Sequence, residues 1–222
     1  MTSSAPGPQE AHWEEVFRST ATERLSWFTA YPSISLELIR RAAPDLGSRI
    51  LDVGGGDSLL VDHLLGDGYR RVTVLDISAR AIERARLRLG ARANRATWIT
   101  KDLLNAPDLE AVDVWHDRAF FHFLTDPGRR GRYLATLVRT LTPRGAVILA
   151  TFAPDGPEQC SGLPVRRYDE QQLAVELGGK FVFIEARRDR HRTPRNDEQH
   201  FMYASFLRLP VGPDNRPHEV AP

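Results

Sequence analysis

Apolar and polar positions alternate in two textures along the 222-residue chain. Short unbroken apolar runs bounded by Gly or Asp mark strands covered on both faces; longer stretches with apolar residues three and four apart mark amphipathic helices. Arg49–Val53 predicts the first strand, stopped by Gly54-Gly55-Gly56, with a helix over Leu59–Leu65 behind it. Val72–Ile77, Ala79–Leu89 and Ala96–Thr100 repeat the order strand, helix, strand, and Val112–Trp115, Gly131–Leu141 and Gly145–Phe152 repeat it again. Tyr168–Leu177 predicts one more helix. Phe181–Arg187 and Gln199–Leu207 predict two closing strands, antiparallel because only a short polar turn joins them. Such a chain is of the α/β class: a doubly wound, Rossmann-like sheet, parallel in its body and mixed at its closing edge. Ahead of it, His12–Ala43 predicts helix in two pieces broken at Tyr31-Pro32-Ser33, with Ser33 and Ser35 as candidate caps and Pro44 as the stop. Residues 1–10 and 211–222 are composed like flexible tails, 11–44 form the N-terminal helical segment, and 45–210 form the sheet domain.

Composition narrows the partners. With 41% hydrophobic and 27% charged residues the chain is globular, and no run approaches the length of a spanning helix. The first ten residues carry no basic-then-apolar leader. One cysteine, Cys160, makes neither an internal disulfide nor a cysteine metal site, so a reducing, cytoplasmic compartment is expected. A net charge of +1 gives no pull toward nucleic acid or membrane, and neither is expected as a partner. Among the 30 basic residues only Lys101 and Lys180 are lysines, a bias that lowers the weight of any single arginine. The run Arg187, Arg188, Arg190, Arg192 and Arg195, with His191, is accordingly expected to be a solvated face.

The chemistry concentrates where strands end. Gly54, Gly55 and Gly56 let backbone approach a ligand, and the helix behind them offers free N–H groups. A dinucleotide fingerprint needs a third glycine where Leu59 stands, and a phosphate loop needs a Gly-Lys-Ser/Thr that is absent. Asp52 and Asp57 flanking the turn would repel a pyrophosphate but suit an ammonium or sulfonium group. Asp76, 20 residues beyond Gly56, ends the second strand, where an acid accepts both ribose hydroxyls. Lys101-Asp102-Leu103 follows the third strand at the same edge.

These residues resemble the class I S-adenosylmethionine-dependent methyltransferases over roughly residues 45–207, on Leu51-Asp52-Val53-Gly54-Gly55-Gly56, Asp76-Ile77 and Asp102-Leu103. The resemblance implies a seven-stranded sheet in the order 3-2-1-4-5-7-6 and S-adenosylmethionine as cofactor, with S-adenosylhomocysteine released. It implies Gly54–Gly56 at the methionine part, Asp76 at the ribose and Asp102-Leu103 at the adenine. Ser58 stands where the common motif has its last glycine. That departure resembles the branch of the elongation-factor lysine methyltransferases and their bacterial relatives. Trp13, Phe17 and Trp27 resemble that branch's aromatic N-terminal segment, a lid over the cofactor, and Asp117-Arg118 resembles its Asp-Lys pair, which the resemblance also places at the cofactor.

His116–Leu124 is the densest polar and aromatic stretch. Asp117 is the candidate to hold the cofactor's ammonium or the acceptor, and His122 the candidate base, since a neutral imidazole accepts protons near pH 7. Against these roles stand a helix cap at Asp117 and a packed ring at His122. A metal on His116, Asp117 and His122 lacks a further ligand at recognisable spacing, and none is expected. Cys160 has no basic neighbour within four residues, so nothing in the sequence lowers its thiol pKa. The activity expected is methyl transfer to a small-molecule acceptor. A protein-lysine methyltransferase is the alternative, with a non-catalytic cofactor-binding protein or an NAD-dependent oxidoreductase further behind.

Overall fold

In the computed structural model, which describes residues 7–105 and 109–210, local pattern becomes an alternating chain of helices and strands. Helices α1 (Pro8–Ser19) and α2 (Ser33–Ala42) precede β1 (Arg49–Val53), α3 (Leu60–Asp67), β2 (Arg71–Asp76), α4 (Ala79–Leu89) and β3 (Ala96–Thr100). Then come β4 (Val112–Arg118), α5 (Pro127–Thr140), β5 (Leu141–Phe152), a two-residue hairpin of β6 (Gln159–Cys160) and β7 (Leu163–Pro164), α6 (Glu170–Leu177), β8 (Phe181–Arg192) and β9 (Glu198–Arg208). The seven-stranded sheet runs β3-β2-β1-β4-β5-β9-β8, the expected order once the small hairpin is counted. Strands β3 to β5 pair in parallel through β2, β1 and β4, while β9 is antiparallel to both β5 and β8.

Strand parity divides the core in two. Ile50, Val114 and Ile148 point to the layer of α2 and α3, where Leu36, Ile39, Leu60 and Leu64 are buried. Leu51, Trp115, Val147 and Leu149 point to the opposite layer, against Tyr133 and Leu137 of α5 and Leu173 of α6. Burying each such aliphatic side chain contributes about 2 kcal/mol. Both layers are therefore needed to hold the strand ends level.

Helix boundaries follow their caps. Ser78 accepts from the Ala81 amide at 3.1 Å to start α4. Asp126 with Pro127 starts α5, a capping box of Asp169 and Gln172 starts α6, and Gly68 ends α3 at φ 98°. Several expectations need correction. Helix α1 begins at Pro8, so residues 8–10 are not tail. Residues 1–6 and the expected tail 211–222 lie outside the described residues. The N-cap of α2 is Pro32, not a serine, and Ser35 turns its hydroxyl inward instead. Strand β4 runs three residues beyond Trp115, which puts Asp117 and Arg118 on opposite faces of a strand rather than in a loop. Among the described residues no helix is long and apolar enough to cross a membrane.

Candidate active site

The parallel strands end at one level: Val53 lies opposite Leu75 of β2 on one side and opposite Asp117 of β4 on the other. Glycine opens the space above them. Gly54 and Gly56 hold φ of 64° and 51°, and the Gly54 amide donates to the Leu75 carbonyl at 2.8 Å. A Cβ on Gly55 would stand 2.5 Å from Asp52 Oδ2 and 2.8 Å from Val74 Cγ1, so no side chain fits there. The turn thus presents backbone to a cavity that Gly54–Gly56, Ser58, Asp52, Asp76 and Ile77 line together.

Three carboxylates face this cavity, each held differently. Asp76 accepts from the Ser78 amide at 2.8 Å and is 7% exposed. Burial pushes its carboxyl up to about 7, the Ser78 and Gly56 amides pull it back, and Asp57 and Asp52 push it further up. Asp57 takes the Thr22 hydroxyl at 2.6 Å and lies 3.6 Å from Arg84; burial raises its pKa as well. Asp52 bonds His116 Nδ1 at 2.7 Å, and His116 Nε2 meets the Ser35 hydroxyl at 2.9 Å. That buried chain joins β1, β4 and α2 and lies on the cavity wall. Ser35 and His116 had no signal in the sequence as partners, because their meeting depends on the β1–β4 register.

The N-terminal segment closes over the glycine turn. Trp13, Phe17, Trp27 and Phe123 pack edge-on or tilted, with ring centroids 5.2 to 6.4 Å apart. Phe17 Cζ lies 3.2 Å from the place of a Cβ on Gly56, and Trp13, Phe17 and Trp27 all line the cavity. Polar contacts fix the segment: Glu14 accepts from the Ser78 hydroxyl at 2.9 Å and the Arg80 amide at 3.1 Å, Arg84 donates to the Thr20 carbonyl at 2.8 Å, and Arg129 donates to Gln9. On the far side the β6–β7 hairpin brings Cys160 and Leu163 to the wall. The Ser161-Gly162 pair that turns it, at φ 50° and 77°, was the available sequence signal.

Four expected site residues lie elsewhere. Asp117 is fully buried on the α5 side. It takes the Tyr133 hydroxyl at 2.7 Å and the Phe120 and Phe121 amides at 3.0 and 3.2 Å, which makes it a cap for the turn after β4. Burial lifts its carboxyl to about 6 and the Tyr133 bond opposes that. His122 is also fully buried, its Nδ1 facing the Phe152 amide at 3.4 Å; burial, then the Arg118 charge, push its pKa down to about 3. A ring so placed is packing, and neither residue is on the cavity wall. Leu103 is buried in the core, and Asp102 turns back to the Leu104 amide at 2.9 Å and the Asn105 side chain, leaving Lys101 and Ile77 on that stretch of wall. Arg118 does reach the wall. The arginine run is largely neutralised: Arg187 pairs with Glu37 and Glu185, Arg188 with Asp155, and Arg192 with Glu198.

Residues 50–145 match the family model of a methyltransferase domain. An eEF1A lysine and N-terminal methyltransferase of Danio rerio is 26% identical over 156 residues, which are 65% of this chain and 21% of that protein. The chain thus spans about a fifth of that relative's length. A structure from work on the conversion of a disulfide bond into a thioacetal group during echinomycin biosynthesis superposes with a TM-score of 0.72 at 22% identity, covering 90% of this chain and 93% of that one. The 1,6-didemethyltoxoflavin-N1-methyltransferase of Burkholderia thailandensis, holding 1,6-didemethyltoxoflavin and S-adenosylhomocysteine, superposes at 0.68 with 20% identity, covering 94% and 92%. Residues 50–145 thus match a methyltransferase domain, and the fold is the one that solved S-adenosylmethionine-dependent methyltransferases share.

Proposed function

We propose that this methyltransferase carries the methyl group of S-adenosylmethionine to a small-molecule acceptor and releases S-adenosylhomocysteine. The observation that carries the choice of acceptor is closure. Trp13, Phe17 and Trp27 on one side and the β6–β7 hairpin on the other wall in the cavity above the glycine turn, which suits a compact acceptor better than a peptide lying in an open groove. The toxoflavin enzyme, a structural neighbour with a small bound acceptor, supports the same choice. The protein-lysine alternative draws on the Danio rerio relative.

The residues present fit the cofactor. The bare backbone at Gly55 admits the methionine part, Asp76 offers its carboxylate to the ribose hydroxyls, and Asp52 and Asp57 supply negative charge toward a cationic ligand. When bound, S-adenosylmethionine supplies a methyl group already activated by its sulfonium charge. What remains for the protein is to orient the acceptor and exclude water, which the aromatic wall does. Among the described residues His116 is the one imidazole on the wall, so a protonated acceptor loses its proton to the His116–Ser35 pair or to water.

Calorimetric titration with S-adenosylmethionine, S-adenosylhomocysteine and NAD in parallel tests the cofactor: micromolar binding of the first two and none of NAD is expected. Methyl label appearing in the small-molecule extract of a lysate, and absent from its protein bands, supports the acceptor class. Label confined to protein bands refutes it.

A further inference from the structure

Arg118, the last residue of β4, carries a positive charge that no carboxylate neutralises among the described residues. Its Nε donates to the Tyr203 hydroxyl at 2.9 Å, Nη1 to the Trp27 carbonyl at 3.0 Å, and Nη2 lies 3.4 Å from the Thr29 hydroxyl. The guanidinium stacks 4.9 Å above the Phe201 ring centroid. All these partners are neutral. Of five N–H groups three are engaged, which leaves one on each terminal nitrogen to donate to an anionic ligand. The titratable groups that feel its charge are His122, His191 and Cys160. Burial holds each in its neutral form: both imidazoles are pushed down and the thiol is pushed up to about 11. Asp117, next in sequence, points through the sheet to Tyr133. A partly buried cation without a counter-ion is costly, and an anionic ligand relieves that cost.

Position adds a second argument. Asp76 and Arg118 end strands at one level with β1 between them, so about two strand spacings, roughly 10 Å, separate them. The cavity is acidic above β1 and β2, where the cofactor is assigned, and cationic above β4. The same cavity carries an apolar wall that includes Trp27, whose carbonyl Arg118 holds, with Phe28, Phe123 and Leu163.

We propose that Arg118 recognises the acceptor, its two free N–H groups taking the carboxylate of a small aromatic acid whose ring lies against Trp27, Phe28, Phe123 and Leu163. The proposal rests on the methyltransferase function above and deepens it by naming the substrate class. It assigns Arg118 to the acceptor, where the sequence motif had put it with the cofactor.

The test uses the full chain saturated with S-adenosylhomocysteine and two probes of one shape, 2-naphthoate and 2-naphthamide, followed by calorimetry and by the fluorescence of Trp13 and Trp27. Naphthoate is expected to bind at least about tenfold more tightly than the amide, as one charge-assisted contact implies. Arg118→Gln brings that ratio close to one, and Arg118→Lys keeps part of it. Tyr203→Phe, which removes a supporting partner but leaves the free N–H groups, keeps the full ratio. An arginine that only anchors the N-terminal segment gives a different result: Arg118→Gln weakens both probes alike and the ratio survives, which overturns the proposal. Equal binding of the two probes to the parent protein overturns it too. Failure of S-adenosylhomocysteine itself to bind strikes the methyltransferase function instead, so the two failures are distinguishable.

Discussion

Asp76 is where function and stability pull in opposite directions. Its carboxyl stands 7% exposed, among Asp52 and Asp57, with a pKa raised from 3.8 to about 7, chiefly by burial. The unfolded chain releases this proton first. Between about pH 4 and pH 7 the folded chain therefore holds a proton that the unfolded chain has lost, and stability falls as pH rises through that window. At about 1.4 kcal/mol per unit, the shift from 3.8 to about 7 costs the ligand-free protein roughly 4 kcal/mol above pH 8 and about 2 kcal/mol at pH 5. Asp76→Asn removes the titrating group while keeping an oxygen to accept from the Ser78 amide. The stability advantage of the variant over the parent should then widen by about 2–3 kcal/mol from pH 5 to pH 8. Asp117, raised to about 6, and His122, lowered to about 3, add slopes of opposite sign, but both proteins share them and they cancel in the difference. Urea denaturation of parent and variant without ligand, at pH 5, 6, 7 and 8, measures it. In the same variant the affinity for S-adenosylhomocysteine should drop at least about tenfold, because the carboxylate proposed to accept from the ribose is gone. Parallel stability curves, with the difference at pH 8 within about 0.5 kcal/mol of that at pH 5, would refute the assignment of a desolvated, ligand-facing carboxylate.

Other substitutions probe the remaining parts. Gly55→Ala drives a methyl group into Asp52 and Val74, so it should cost about 1–3 kcal/mol and weaken S-adenosylhomocysteine binding, whereas Gly66→Ala on α3, with open space around it, should stabilise by about 0.5–1 kcal/mol; thermal melts of the two decide. Tyr133→Phe strips the hydroxyl that donates to Asp117 at 2.7 Å and accepts from Trp115 at 2.8 Å, and the two buried groups left without it should lower the urea-derived stability by about 2–4 kcal/mol. His122→Phe should leave S-adenosylhomocysteine affinity within about twofold by calorimetry, because the ring is off the cavity wall. It should also raise stability on the acid side, since the unfolded imidazole gains its proton near 6.5 and the folded one only near 3.

Much of the architecture was legible in local pattern. Ala79–Leu89 and Ala96–Thr100 match their helix and strand residue for residue, and the glycine turn with Asp76 lies where spacing expected it. Those features are encoded within a few neighbouring residues: apolar period, a capping serine, glycines with positive φ. What a side chain faces is not encoded that way. Extending β4 by three residues sent Asp117 through the sheet to Tyr133 and Arg118 up to the cavity, because successive side chains on a strand point to opposite faces and a one-residue change in register exchanges them. The pairing of Asp52 opposite His116 likewise arose from the β1–β4 register, and Ser35 joined them only when α2 docked on that face. Local pattern encoded the strands, the glycine turn and the acid that ends β2. The packing of distant segments decided which titratable groups reach the cavity, since burial and partners, not identity, set whether a carboxylate or an imidazole meets a ligand or caps a turn.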